Sequence, residues 1–263
     1  MSELLEVARI AVRAAAELLA GARVTAVRGK SNPRDLVTEW DLRAEDTIRA
    51  SLEQNAPGIA VLGEEGGQGS GTASGLRWLV DPIDGTVNFA HGLPLWTIAI
   101  ALEDPQGVAV GVVFAPVLGW WFEASRGGGA RDGTGAPLAV SVIDRVDQAL
   151  LTTGFPYDRA THPVNNFAEW EHLQRRAGAC RRMGCASLDL CVVARGWLDG
   201  YWERRLQPWD VAAGALIVRE AGGTVTNTTG GAFDPHAGEV VASNGAIHEE
   251  LLAELATVQA AKS

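Results

Sequence analysis

The segment Trp78-Leu79-Val80-Asp81-Pro82-Ile83-Asp84-Gly85-Thr86-Val87-Asn88-Phe89 holds the residues best suited to chemistry. Its apolar start reads as a buried strand that delivers Asp81. Pro82 has no N–H to give a ladder and forces a bend. Asp84 follows beyond that bend, so two carboxylates three residues apart converge on one point. Hard divalent cations such as magnesium take carboxylate and carbonyl oxygens of this kind. Gly85-Thr86 then opens a helix, whose first N–H groups suit a phosphate, and glycine lets a ligand approach the backbone closely. Standing alone, D-P-x-D-G-T is a turn followed by a helix cap, since Asp, Pro and Gly are all turn residues. Two further segments weigh against that reading. Gly63-Glu64-Glu65 adds an acidic pair at the end of an apolar run, and Pro208-Trp209-Asp210 adds an acid at the start of a helix of small, apolar residues. Asp210 alone is an ordinary cap. The acids together point to a shared cation site.

Composition narrows the function classes. The chain has 263 residues, 47% of them hydrophobic, which allows one large domain or two closely packed ones with a substantial core. A formal charge of −10 argues against nucleic acid as the main ligand, because binding a phosphate backbone needs a basic face. The basic clusters Arg175-Arg176, Arg181-Arg182 and Arg204-Arg205 read as solvated surface or as a handle for a small anion. Three cysteines, Cys180, Cys185 and Cys191, lack C-x-x-C spacing and describe neither a disulfide framework nor a zinc site. The N-terminus shows no secretory signal, and no apolar run approaches the ~20 residues that span a bilayer. A cytoplasmic protein with no membrane contact is expected.

The elements that must position the acids follow from periodicity. Residues 2–20 repeat apolar side chains at helical spacing, with Gly21 as a stop. Residues 38–54 form a second helix, capped by Thr38 with Asp41 in a capping box. Residues 59–62 make a short strand, and the glycine-rich stretch 66–75 is expected as a mobile loop or flap. Residues 97–102, 108–113 and 119–122 alternate strand signals with turns, which predicts antiparallel pairing. In the second half, short apolar runs at 149–152, 198–202, 223–225 and 240–241 alternate with helical segments near 163–176, 187–196, 210–221 and 247–257, as in a layered α/β unit. A boundary is placed near 142–147. Trp197, Trp202 and Trp209 are expected in the core.

Taken together, Lys30-Ser31-Asn32-Pro33-Arg34-Asp35-Leu36-Val37-Thr38-Glu39-Trp40-Asp41, Gly63-Glu64-Glu65, Asp81 through Pro94 and Trp209 through Gly214 resemble the inositol monophosphatase superfamily of magnesium-dependent, lithium-sensitive phosphatases. The resemblance covers nearly the whole chain, and its motifs in this order are highly specific. It implies an α+β / α/β fold, the αβαβα sandwich of the sugar phosphatases. Residues 1–144 would be an N-terminal α+β domain with the antiparallel sheet and most metal ligands; residues 145–263 would be a C-terminal α/β domain supplying Asp210 and substrate contacts. It implies two to three magnesium ions: Glu64, Asp81 and the Ile83 carbonyl on the first, Asp81, Asp84 and Asp210 on the second, and Glu64 with water on a weaker third. Asp84, Gly85 and Thr86 would hold the phosphate. Asp41 and Thr86 would orient the attacking water, with either Glu64 or that pair taking its proton. Lys30 and Asp35 match a mobile loop that closes over the site. A homodimer is also implied.

The resemblance further implies a small-molecule phosphate ester as substrate, hydrolysed by direct in-line attack without a phosphoenzyme. Gly85-Thr86-Val87-Asn88-Phe89-Ala90-His91-Gly92-Leu93-Pro94 is similar to the inositol branch (G-T-x-N-F-x-H-G-x-P), so myo-inositol 1-phosphate is the leading substrate. Fructose-1,6-bisphosphate, NADP and histidinol phosphate are alternatives within the superfamily, and binding to the transcription machinery is an alternative of another class. Glu203 stands where the inositol enzymes place an acid that accepts hydrogen bonds from ring hydroxyls, and Gly184, Cys185 and Ala186 match a neighbouring contact turn. Cys185 occupies a position more often Ser or Thr in the family, which puts one polar contact in doubt. His91, a lone histidine, reads as structural.

Overall fold

The computed structural model describes residues 2–24, 27–29, 34–69 and 75–260. Helix α1 (Ser2–Leu19) buries Val7, Ala8, Ala11, Val12, Ala15 and Leu19, one stripe at helical spacing. A ribbon of β1 (Val27–Gly29) and β2 (Leu36–Thr38) leads into α2 (Glu39–Asn55). The capping box expected at its start is present: Trp40 N donates to Thr38 Oγ1 at 3.1 Å, and Thr38 N donates to Asp41 Oδ2 at 2.8 Å. The first sheet contains β3 (Ala60–Gly63), β4 (Gly67–Gln68), β5 (Arg77–Asp84), β6 (Thr97–Asp104), β7 (Gly107–Ala115), β8 (Trp120–Ser125) and β9 (Gly129–Asp132), in the order β4-β3-β5-β6-β7-β8-β9. β5 runs parallel to β3, and all the other pairs are antiparallel. The short α3 (Thr86–Ala90) follows β5.

The second half supplies β10 (Leu150–Thr153), β11 (Ala179–Arg181), β12 (Gly200–Arg204), β13 (Thr224–Thr226) and β14 (Glu239–Ser243), in the order β11-β10-β12-β14-β13. Helices α4 (Phe167–Arg176), α5 (Ala186–Ala194) and α6 (Pro208–Glu220) lie between these strands in sequence, and α7 (His248–Ala260) follows β14. Three apolar clusters define the layers. α1 and α2 pack on one face of the first sheet through Ile48, Leu52, Trp78, Val80 and Ile100. α5 and α6 fill the space between the sheets, where Leu188, Leu190, Val211 and Ile217 meet Leu79, Val113, Tyr201 and Val240. α4 and α7 cover the far face of the second sheet through Leu173, Leu251, Leu255, Leu151 and Trp202. The result is the expected αβαβα sandwich. Every residue of α5 is buried, Ser187 and Asp189 included, as suits a helix enclosed by two sheets.

Three details differ from the sequence reading. Gly67 and Gln68, read as loop, pair with β3, while residues 70–74 of that stretch lie outside the described residues. Pro82 does not end its strand: β5 runs on to Asp84, and the pairing jumps from Asp81 opposite Ala99 to Asp84 opposite Thr97. That jump is a bulge, which accommodates the missing N–H and re-aims the side chains that follow. Trp202 is core, but Trp197 is 46% exposed.

The turn after β3 is fastened from below by Glu45, a buried carboxylate on α2. Glu65 N donates to it at 2.7 Å, Gly66 N at 2.8 Å and Arg49 Nε at 2.8 Å. Removing it leaves two backbone donors without an acceptor and takes the Nε partner from the half-buried Arg49, which keeps the carbonyls of Val61 and Gly67. Glu45→Ala is therefore expected to lower unfolding free energy by about 2–4 kcal/mol. Urea denaturation checks this; an unchanged midpoint would deny the clamp.

Candidate active site

A cavity of about 410 Å³ opens where the first sheet, the middle helices and the second sheet come together. Its wall includes Glu64 from the end of β3, Asp81, Ile83 and Asp84 from the β5 bulge, Gly85 and Thr86 from the start of α3, and Asp210 from the first turn of α6. Glu203 of β12 and the turn Gly184, Cys185 and Ala186 line the same space, and so does Asp35. Residues as far apart as Asp35 and Asp210, about two-thirds of the chain, thus line one cavity. Lys30 lies outside the described residues. Asp41 is fully buried behind the wall, where Thr86 Oγ1 lies 3.1 Å from Asp41 Oδ1 and 3.1 Å from the Ile83 carbonyl. His91 is exposed at the end of α3 and does not line the cavity.

Local backbone chemistry sets these positions. Gly85 has φ +88, the left-handed region that glycine adopts without strain. A Cβ there would also stand 3.1 Å from the Leu95 carbonyl and 3.2 Å from Cys185. Pro208 sits in the first turn of α6, and Asp210 Oδ2 accepts from Gln207 N at 2.8 Å, which fixes the carboxylate at the helix start. Ile83 N donates to Asp81 Oδ1 at 3.0 Å. Ser187 donates to Asp84 Oδ2 through both N and Oγ at 2.6 Å, and Ala186 N donates to Oδ1 at 3.3 Å.

Electrostatics make the site costly as it stands. Burial, followed by repulsion from Glu64, Asp84 and Asp210, pushes the Asp81 carboxyl well above the usual carboxylate range. Asp210 is raised well above that range by burial, then by Asp84 and Glu64. Asp84 is raised by burial and partly pulled back by its Ser187 hydrogen bonds. Among the described residues no three His, Cys, Asp or Glu side chains form a ready-made metal cage. The residues nevertheless suit a hard cation: Glu64, Asp81, Asp84, Asp210 and Ile83 line one cavity, and the repulsion among the carboxylates is one that a cation would relieve.

The sequence profile of the Inositol monophosphatase family matches residues 1–260. The chain belongs to the inositol monophosphatase family. It is accordingly a phosphoric monoester hydrolase of a metal-dependent family. An inositol-1-monophosphatase of Synechocystis sp. is 42% identical, over 96% of this chain and 88% of its own. A Nus factor SuhB of Pseudomonas aeruginosa is 40% identical, over 96% and 95%. The solved inositol monophosphatase from Anabaena (Nostoc) sp. superposes with a TM-score of 0.89 at 35% identity, covering 97% of this chain and 96% of that one. Among the described residues, no helix of this family member is long and apolar enough to cross a membrane.

Several contributors were not placed in the site by the sequence, although Arg182 and Arg205 belong to clusters read there as solvated surface or as a handle for a small anion. Tyr157, Arg182 and Arg205 line the cavity, and Asn88 ties α3 to the contact turn by donating to the carbonyls of Leu95 at 2.6 Å and Met183 at 2.8 Å. Thr97 Oγ1 stands 2.6 Å from Ser187 Oγ and so supports the group that holds Asp84. Asn88 lies inside the quoted motif and was legible as part of it; Ser187, one small residue among several, gave no signal.

Glu203 yields a pH effect. Tyr201 donates to its Oε2 at 2.7 Å, and Gly154 leaves room for its carboxylate, which a Cβ there would meet at 2.1 Å. Burial chiefly raises its pKa from 4.5 to about 7. Between those values the folded state holds a proton that the unfolded chain has released, so stability falls as pH rises and the full cost stands above about 7. Metal-free protein is expected to lose up to about 3 kcal/mol from this group between pH 5 and pH 8, and Glu203→Gln to escape that loss. Urea unfolding of both proteins at the two pH values checks it; identical pH slopes would refute it.

Proposed function

We propose that this protein hydrolyses the phosphate monoester of a small polyol, with myo-inositol 1-phosphate as the preferred substrate and magnesium as the cofactor. The observation that carries the reading is the single cavity in which Glu64, Asp81, Asp84, Asp210, Gly85, Thr86 and Glu203 face one another. Support for the substrate comes from the inositol-1-monophosphatase relatives and from the Glu203 carboxylate beside the Gly184-Cys185-Ala186 turn.

Glu64, Asp81, Asp84, Asp210 and the Ile83 carbonyl would hold two to three magnesium ions. Bound there, magnesium supplies a lowered pKa for water and charge neutralisation on the phosphoryl and leaving oxygens. The Thr86 hydroxyl, directed to Asp41 at 3.1 Å, leaves a lone pair to accept a hydrogen bond from the attacking water and so orients it, with either Glu64 or the Thr86–Asp41 pair taking the proton. Backbone N–H groups of Gly85 and Thr86 grip the phosphate. Glu203, with one oxygen engaged by Tyr201, offers the other to ring hydroxyls. Asp35, with Lys30, would close over the bound ester. Three buried free cysteines suit a reducing cytoplasm, and the homodimer implied by the family resemblance belongs to the same reading. A purely regulatory role, suggested by the name Nus factor SuhB of one relative, has less support, because it requires no convergence of four acids.

A magnesium-supplemented panel of inositol 1-phosphate, fructose-1,6-bisphosphate, NADP and histidinol phosphate tests the substrate by phosphate release. Inositol 1-phosphate is expected to lead in kcat/KM, and a tenfold or greater preference for another member, about 1.4 kcal/mol in transition-state binding, would displace it. Asp84→Asn is expected to lower kcat by roughly three orders of magnitude with the fold intact, and millimolar lithium to inhibit. Near-normal turnover in that variant would take Asp84 out of the reaction.

A further inference from the structure

A second cavity, of about 770 Å³, shares no lining residue with the first. It lies where the sheet edge is incomplete. β9 pairs with β8 only between Phe122, opposite Asp132, and Ser125, opposite Gly129, whereas β8 begins at Trp120. Trp120 and Trp121 therefore stand beyond the end of the covering strand. Successive strand residues point to opposite faces: Trp120 packs toward the middle helices and Trp121 toward α1. The two indoles straddle an open edge. Trp197, half exposed, meets Trp120 edge-on with ring centroids 4.6 Å apart.

Three arginines line this cavity, and they are not equivalent. Arg9 is consumed by Glu123, to which it donates from Nε at 2.8 Å and from Nη2 at 2.5 Å. Trp121 Nε1 donates to the same carboxylate at 2.8 Å. Asp132 is engaged within its own turn, accepting from Thr134 N at 2.9 Å and Ala136 N at 3.1 Å, and stands 3.8 Å from Arg195. Arg195 Cζ lies 5.8 Å from the Trp197 ring. Arg13, exposed on α1, has its Cζ 5.4 Å from the Trp121 ring centroid and forms no ion pair among the described residues. Arg9 is also paired with Glu6 at 2.8 Å, so of the three lining arginines only Arg13 forms no ion pair among the described residues.

We propose that this cavity binds a small ligand consisting of a flat ring that carries one anionic group. The indole faces supply stacking surface for the ring. The unpaired Arg13 guanidinium, already ordered against Trp121, takes the anion through its planar fork of donors. Gly133 and Gly135 put no side chain into the space. The volume lies within the range of roughly 300–1,000 Å³ typical of small-molecule sites. A purely apolar surface patch would not place a free cation against an indole, and a purely ionic one would not gather three tryptophans.

The test uses metal-free protein and 2-naphthalenesulfonate, an aromatic anion that is not a phosphate ester, followed by calorimetry. One saturable site per chain is expected. Affinity should fall about tenfold or more in Arg13→Ala and in Trp197→Ala, roughly 1.4 kcal/mol each, and stay unchanged in Asp84→Asn. 2-Naphthol, without the charge, and methanesulfonate, without the ring, should each bind at least about tenfold more weakly. Absence of saturation overturns the proposal. So does equal affinity for the naphthol, or an unchanged Arg13→Ala. Loss of binding in Asp84→Asn would place the probe in the catalytic cavity and likewise overturn it. If Trp197→Ala fails to fold, Arg13→Ala at the surface carries the test alone. If the probe does not bind but Trp197→Ala dissociates a self-associated form in sedimentation, the cavity is a protein contact and the proposal falls.

Discussion

Glu64, Asp81, Asp84 and Asp210 repel one another across a space of a few hundred cubic ångströms, and much of the surrounding architecture answers to that repulsion. Carboxylates free to move would swing into water. Here each is held from behind. The β5 bulge turns Asp81 and Asp84 inward, Glu45 pins the turn that follows Glu64, the cap at Gln207 fixes Asp210, and the start of α5 grips Asp84. The stability lost by crowding these charges would be recovered by a divalent cation entering the cavity, so affinity for such an ion and strain in its absence would have one origin.

The opposite wall is built on another principle. Glu203 on β12 still feels the Asp84 charge, but one of its oxygens accepts from a tyrosine hydroxyl, and its room depends on the missing side chain of Gly154. One wall thus concentrates charge and the other disperses it. A phosphate ester has the matching asymmetry, with a dense anion at one end and neutral hydroxyls at the other.

Much of this was legible in the residues. The capping box at Thr38 and Asp41, the apolar stripe of α1, and the alternation of strand and helix after residue 145 are local patterns, and local patterns survive folding. The acids were legible because their types are unusual at the ends of apolar runs. The path of β5 through Pro82 was not, since proline predicts a broken ladder while the bulge lets the pairing resume two residues later. Trp197 does not follow the rule that size implies burial, because it stands in the bend after α5 with its ring edge-on to Trp120 and 46% exposed. The supports at Glu45, Ser187 and Thr97 were invisible, for each acts through a partner distant in the chain.

Helix α6 belongs to both halves of the molecule. Its apolar residues sit in the cluster that joins the two sheets, yet its first turn carries Asp210 to the cavity that β5 faces from the other side. An ion gripped jointly by β5 and α6 would rivet the halves together. Neither half, cut out and produced separately, would then retain a working cation pocket, and any hinge-like parting of the sheets would open the pocket and release its charge compensation in the same movement.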